Sequence, residues 1–364
     1  MAELDLDLKL RFERILWSAG SYTRTNVKLA AFAGSMQRGS RSVTELTDVD
    51  VLGVRFLDDL TPRLTAVDCK SGQRVSVMGR VFWLRGVMEH LRAERGYTVL
   101  SREVPEAQRE SAAKLSVTIV HERHLNDIAS RYPQVPANLK IGNKEAHTYL
   151  EGNLTSLPRR LGKLLDYRNT GYWYYTSARA ISQAIAITRQ SAGDIDLQNK
   201  WHKALLLDIS TLYAISVLSL AGELISLMPS DVLDGVRILF FEGLEGVERR
   251  QIMIRRLQSI LEKVTAQAQL PLNGVEVFQL DPPYLPGLAD ALTRVMARPI
   301  DAAEIPRYLK VRLIHGVLYD EWDLGQLLGE QYSVLADKLA SDIGLSFMSA
   351  CGFDTRQSAL LGFR

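Results

Sequence analysis

The sequence predicts an α/β domain of about 130 residues, within the usual domain size, followed by a mainly α-helical one. Three observations predict it. Short apolar runs rich in β-branched residues alternate with helix-periodic segments between residues 8 and 121. RYPQVPANLKIGNKEAH (131–147) has two prolines and little periodicity, which divides the chain into 1–133 and 134–364. Beyond it the apolar spacing is helical, most clearly in 245–263 and 329–348.

The elements follow in order. LKLRFERILWSAGS (8–21) puts Leu8, Phe12, Ile15 and Leu16 at helical spacing, with Gly20 as a stop. VKLAAFA (27–33) reads as a strand and GSMQRGSRS (34–42) as a loop carrying Arg38 and Arg41. VDVLGVRF (49–56) and RLTAVDCK (63–70) are strands joined by LDDLTP. Residues 76–95 turn helical through Val77, Val81, Leu84, Met88 and Leu91, with Gly96 as the expected stop. YTVL (97–100) is a strand, PEAQRESAAKL (105–115) a helix and SVTIV (116–120) a strand.

Bulk properties narrow the classes. The 364 residues are 46% apolar and 24% charged, as in a globular protein. Cys69 and Cys351 form no zinc spacing and suit a reducing compartment, so a cytoplasmic location is expected. The most apolar run, 204–228, is broken by Asp208 and Glu223 and is expected to form buried helices rather than a membrane span. A net charge of +2 does not by itself announce nucleic-acid binding, so any basic groove must be local. The six histidines show no metal-ligand spacing, and no phosphate-binding loop, dinucleotide fingerprint or nucleophile elbow is present.

The candidate chemistry lies at the ends of ELTDVDVLGVRFLDDLTPRLTAVDCKSG (45–72). If its strands fold back about Asp59, position 50 pairs with 68 and position 48 with 70. Opposed side chains in such a ladder stand roughly 4.5–5.5 Å apart at Cβ. Two carboxylates that close repel each other, and one is pushed towards protonation unless a cation sits between them. Mg²⁺ accepts one or two carboxylates, keeps several waters and can hold a phosphate oxygen, while Lys70 beside it could position an attacking water. The competing reading is a plain Asp48–Lys70 ion pair with Asp50 and Asp68 solvated at a strand end; Asp7-Leu8-Lys9 matches the Asp-Xaa-Lys tripeptide too.

The order of these residues resembles the PD-(D/E)xK nuclease superfamily, with its restriction-endonuclease-like α-β-β-β-α-β core and mixed sheet. Asp50 in TDVDVLG matches the metal-binding Asp, and Asp68 and Lys70 in VDCKSG match the (D/E)xK pair. Glu13 matches a first-helix acid used by some branches, and Phe12-Glu13 followed by Gly20 resembles the opening helix of the type IV restriction branch. The likeness spans residues 8–121; no proline precedes Asp50 and no Gln follows the Asp-Xaa-Lys.

The resemblance implies an endonuclease that uses Mg²⁺ or Mn²⁺, held by Asp50, Asp68 and Glu13, with Lys70 serving the water or the transition state. DNA is the expected substrate ahead of RNA, and restriction or antiviral defence the expected setting. Arg38, Arg41, Arg80 and Arg85 are candidate nucleic-acid contacts, although Phe82 and Trp83 beside Arg80 are expected mostly to pack in the core. PRRLGKLLDYRNTGYWYY (158–175) and ERRQIMIRRLQ (248–258) mix basic with apolar residues, for which interior packing and a solvated face are the favoured readings. The helical domain is expected to recognise or assemble, with a partner subunit or a second copy. The rival is a catalytically inactive subunit that keeps the nuclease fold for binding nucleic acid or for assembly.

Overall fold

The computed structural model describes residues 2–34, 41–70, 76–268 and 279–363. The first 121 residues build a five-stranded mixed sheet between helices. In chain order come α1 (Ala2–Ser18), β1 (Tyr22–Gly34), β2 (Arg41–Phe56), β3 (Pro62–Lys70), α2 (Val77–Leu91), β4 (Arg95–Leu100), α3 (Glu106–Ala113) and β5 (Val117–His121). Strand order is β1-β2-β3-β4-β5, antiparallel across β1, β2 and β3 and parallel from β3 to β5. The parallel steps follow from the connections, since α2 and α3 carry the chain back before β4 and β5.

Each face of the sheet takes one helix because each helix carries one apolar stripe. Leu8, Phe12, Ile15 and Leu16 of α1 bury against Val51, Val67, Cys69, Val99 and Val120. Val81, Leu84, Val87, Met88 and Leu91 of α2 cover the opposite face, over Val27, Leu29, Leu52, Ala66 and Val117. Full burial of one such side chain stabilises by roughly 1.5–3 kcal/mol. Gly20, at φ +84°, ends α1 as the sequence predicts.

Gly96 has a different job from the one expected. α2 stops earlier, at Leu91, where Arg92 takes the left-handed conformation. Gly96 sits in β4, and a Cβ there would lie 2.6 Å from Met88 Sδ and 3.0 Å from Leu84 Cδ2. Its missing side chain lets α2 pack close on the sheet.

The strands also outrun the sequence signal. β1 begins at Tyr22, five positions before the apolar run, because Tyr22 and Thr23 pair with Val54 and Gly53. β1 runs to Gly34 and β2 begins at Arg41 instead of Val49, so the expected loop over 34–42 is strand at Gly34, Arg41 and Ser42; its centre, 35–40, lies outside the described residues. Long-range pairing with β1 extends β2 through a polar stretch that local pattern assigns to a turn.

Beyond residue 122 the described chain is helical. The 204–228 run forms one helix, Lys200–Leu227, long and apolar enough to cross a membrane by length and composition, yet buried along nearly its whole length by the helices around it. The core about it reaches the sheet, taking in Trp17, Tyr22, Val54, Phe56 and Leu60. Gly222 is the point of closest approach: a Cβ there would stand 2.7 Å from the Leu60 carbonyl oxygen. The β2–β3 turn is thereby seated on the helical part.

Candidate functional site

The β2–β3 register is the one the turn predicts, from Phe56↔Pro62 to Val51↔Val67. There the paired ladder ends. β2 continues alongside β1, with Val49 opposite Val27 and Asp48 opposite Lys28, while β3 continues alongside β4, with Asp68 opposite Thr98 and Lys70 opposite Leu100. The two strands fork, and Asp50, Asp68 and Lys70 stand at the mouth.

A fork leaves backbone groups without ladder partners, and a buried amide must find another acceptor. The Asp50 carboxylate supplies one: Cys69 N–H donates to Asp50 Oδ2 at 2.7 Å. Lys9 reaches from α1 to within 2.7 Å of Asp50 Oδ1 and also donates to Asn26 Oδ1 at 2.7 Å. Lys70 Nζ lies 3.5 Å from Asp50 Oδ2. On the other face Arg80, in the first turn of α2, donates from Nε to Asp68 Oδ2 at 2.8 Å and from Nη2 to Asp68 Oδ1. Its guanidinium lies 4.2 Å from the centre of the Trp83 ring.

Asp68 is fully buried. Burial pushes its carboxyl up, Arg80 opposes that, and the neighbouring Asp50 charge adds to the rise. Burial, with the charges of Asp50 and Asp68 adding to it, likewise raises the Cys69 thiol well above its ordinary value, which keeps it protonated.

A divalent ion of the Mg²⁺ kind takes one or two carboxylates and fills its sphere with water, and Asp50 and Asp68 are the candidate ligands at the fork. Their oxygens are engaged by Lys9, Lys70 and Arg80, so an ion must displace Arg80 from Asp68 and Lys9 from Asp50. Among the described residues no group of three or more His, Cys, Asp or Glu converges.

Glu13 does not join this cluster. It is buried, accepts from Thr23 Oγ1 at 3.1 Å and pairs with Lys310 of helix Ile305–Val311. Lys9, one turn earlier on α1, is the residue that reaches the fork. Asp48 is exposed and is not the partner of Lys70; it acts on Arg80 through its charge. Arg85 turns to Glu89 and the Leu115 carbonyl, which ties α2 to the α3–β5 connection instead of facing the fork. Arg38 and the side chain of Arg41 lie outside the described residues. Phe82, expected in the core, is 61% exposed near Arg80.

The basic and aromatic stretch 158–175 divides in two. Arg168 is buried on Asp208 and Glu151, and Tyr167 and Tyr172 are core residues. Trp173, Tyr174 and Tyr175 instead line a cleft. Two buried histidines take structural roles: His315 Nε2 accepts the Lys140 N–H at 2.9 Å, and His202 Nδ1 accepts the Asp196 N–H at 3.0 Å.

No family model, curated protein or solved structure matches this chain.

Proposed function

We propose that the fork is the catalytic centre of a metal-dependent nuclease of the restriction-endonuclease-like kind, hydrolysing phosphodiester bonds, in DNA before RNA. The observation that carries this reading is the parting of β2 and β3 after Val51↔Val67, which gathers Asp50, Asp68 and Lys70 between a helix on each face. The superfamily resemblance implies that these three residues act together.

Asp50 and Asp68 would hold Mg²⁺ or Mn²⁺, which when bound polarises a phosphate oxygen and acidifies its water. Lys70, 31% exposed and 3.5 Å from Asp50, is free enough to turn towards a phosphate and steady the charge that builds on it. Arg80, released from Asp68, can grip a neighbouring phosphate with its planar fork of donors. Phe82 stands exposed on the same helix. Restriction or antiviral defence is the setting this reading favours.

One observation favours the rival. Lys9 and Arg80 neutralise both acids with the chain's own cations, as expected of a fold kept for binding or assembly. Cleavage of plasmid, linear and single-stranded DNA and of RNA, with Mg²⁺ or Mn²⁺, separates the two. Metal-dependent cutting by the wild type and its loss in Lys70→Ala is the expected result. A folded wild type that neither cuts nor binds Mn²⁺ by calorimetry moves the reading to the inactive subunit.

A further inference from the structure

The sheet has a second end. At the Pro62 end of β3, eight residues and about 26 Å from Lys70 at the usual strand rise, a cleft of about 930 Å³ opens between the α/β and helical parts. It is bounded by the β2–β3 turn, the C-terminal end of α2, the 173–177 segment and the last turns of helix Lys200–Leu227.

Its chemistry is that of a flat, charged aromatic ligand. Trp173, Tyr174 and Tyr175 follow one another along its wall, and Tyr174 keeps 48% of its surface exposed. Trp173 is fixed edge-on against Tyr172, 4.8 Å between ring centres, and packs against both the sheet core and the helical core. Arg179 lies over Tyr175 at 5.1 Å. The rim carries His90 and Arg92 from the end of α2, and Arg92 has no ion-pair partner among the described residues. The lining also holds Glu223, whose carboxylate accepts from Ser177 Oγ at 2.8 Å.

Aromatic faces beside a cation suit a ring that bears a phosphate. The carboxylate narrows the class further. It repels a bare polyanion and accepts the amino and ring N–H donors that nucleobase edges present. We infer that this cleft binds an unpaired nucleobase carrying a phosphate, stacked on Tyr174 with the phosphate on Arg92 and the base edge on Glu223. The ligand is either a base of a single strand or a free nucleotide. This site stands apart from the fork and does not depend on the fork's chemistry.

The test uses 2-aminopurine, whose fluorescence falls on stacking, in EDTA so that nothing is cleaved. One arm titrates the full-length protein with a single-stranded 12-mer carrying one 2-aminopurine; the other uses 2-aminopurine nucleoside monophosphate. Quenching in either arm, weakened about tenfold by Tyr174→Ala as for loss of one stacking platform, is the expected result. Quenching by the 12-mer alone assigns the cleft to a strand, and equal quenching by the monophosphate assigns it to a free nucleotide. Arg92→Asn, which keeps the left-handed turn, is expected to weaken binding and to flatten its salt dependence. Absent quenching in both arms, or quenching unchanged in a folded Tyr174→Ala protein, overturns the proposal. Neither outcome touches the nuclease reading, since the assay needs no metal and no cutting.

Discussion

Arg80 closes on both carboxylate oxygens of Asp68, the fully buried acid at the mouth of the β2–β3 fork. The pair has two consequences. It compensates a carboxylate that burial alone would push towards protonation, and it occupies the oxygens that the proposed Mg²⁺ or Mn²⁺ would need.

Removing Arg80 is therefore expected to have opposite effects on stability and on metal binding. Arg80→Ala leaves Asp68 buried without its counter-charge, and metal-free stability should fall by about 3 kcal/mol, the lower range for a broken buried pair, since Arg80 is 22% exposed. Mn²⁺ no longer has to displace the guanidinium, so its affinity should rise about tenfold, or about 1.4 kcal/mol. Calorimetry with Mn²⁺ and urea unfolding with and without the ion measure both. An unchanged Mn²⁺ affinity in a folded Arg80→Ala protein would count against competition at Asp68.

Lys9 and Glu13 sit one turn apart on α1 and serve different partners, Asp50 at the fork and Lys310 of the helical part. Glu13→Gln should leave Mn²⁺ affinity as it is. The amide still accepts from Thr23 but loses the charge that holds Lys310, so stability should fall by roughly 1–3 kcal/mol. Lys9→Met, by contrast, should alter Mn²⁺ affinity, because its ammonium touches Asp50 itself. A Glu13→Gln protein with weakened metal binding would restore Glu13 to the site and remove this division of labour.

How much of the site was legible follows from the range of the contacts. Asp50, Asp68 and Lys70 could be found because a tight turn about Asp59 sets the β2–β3 register, and the observed ladder keeps it from Phe56↔Pro62 to Val51↔Val67. The fork itself was not legible, because it depends on β2 holding to β1 and β3 to β4. Glu13 was misplaced for the same reason. Its side chain is claimed by Lys310, 297 residues later, which no local pattern announces. Lys9 was visible only as part of a second Asp-Xaa-Lys, and what makes it matter is how α1 lies across the sheet. Interior packing was the favoured reading of the stretch that holds Arg168, and its partner left a signal too: Asp208, an acid inside the most apolar run of the chain, needed a buried cation.

That partnership is the next prediction. Asp208 accepts from Arg24 of β1 and from Arg168, and so ties the sheet to the helical core. Burial alone would raise its carboxyl, but the two arginines outweigh burial and hold it at about 2. Its folded value is thus depressed below the ordinary value of about 3.9. The stability it contributes is fully present above that unfolded value and is lost as the pH falls through about 2. Asp208→Asn leaves the buried Arg24 guanidinium without a carboxylate and Arg168 with Glu151 alone, and should cost about 3 kcal/mol, the lower range for a broken buried pair. Urea unfolding at pH 7 checks the loss; a cost under about 1 kcal/mol, the scale of an exposed pair, would mean the network is solvated.

His315 sets the milder pH response. Its Nε2 accepts the Lys140 N–H at 2.9 Å, so in the neutral ring the proton is on Nδ1, which faces Glu321 at 2.7 Å. Burial lowers its value against the pull of Glu321. Protonation would replace the acceptor at Nε2 with a second donor and break the contact to Lys140. A depressed folded value means that this stability is present above about pH 6.5, the unfolded value, and is lost as the pH falls below it. Burial lowers His147 and His202 in the same direction. Stability should accordingly drop between pH 7.5 and 5.5, and His315→Gln should flatten part of that drop while lowering stability at pH 7.5. Urea midpoints at the two pH values read this directly; an equal drop in wild type and His315→Gln would assign the response to His147 and His202.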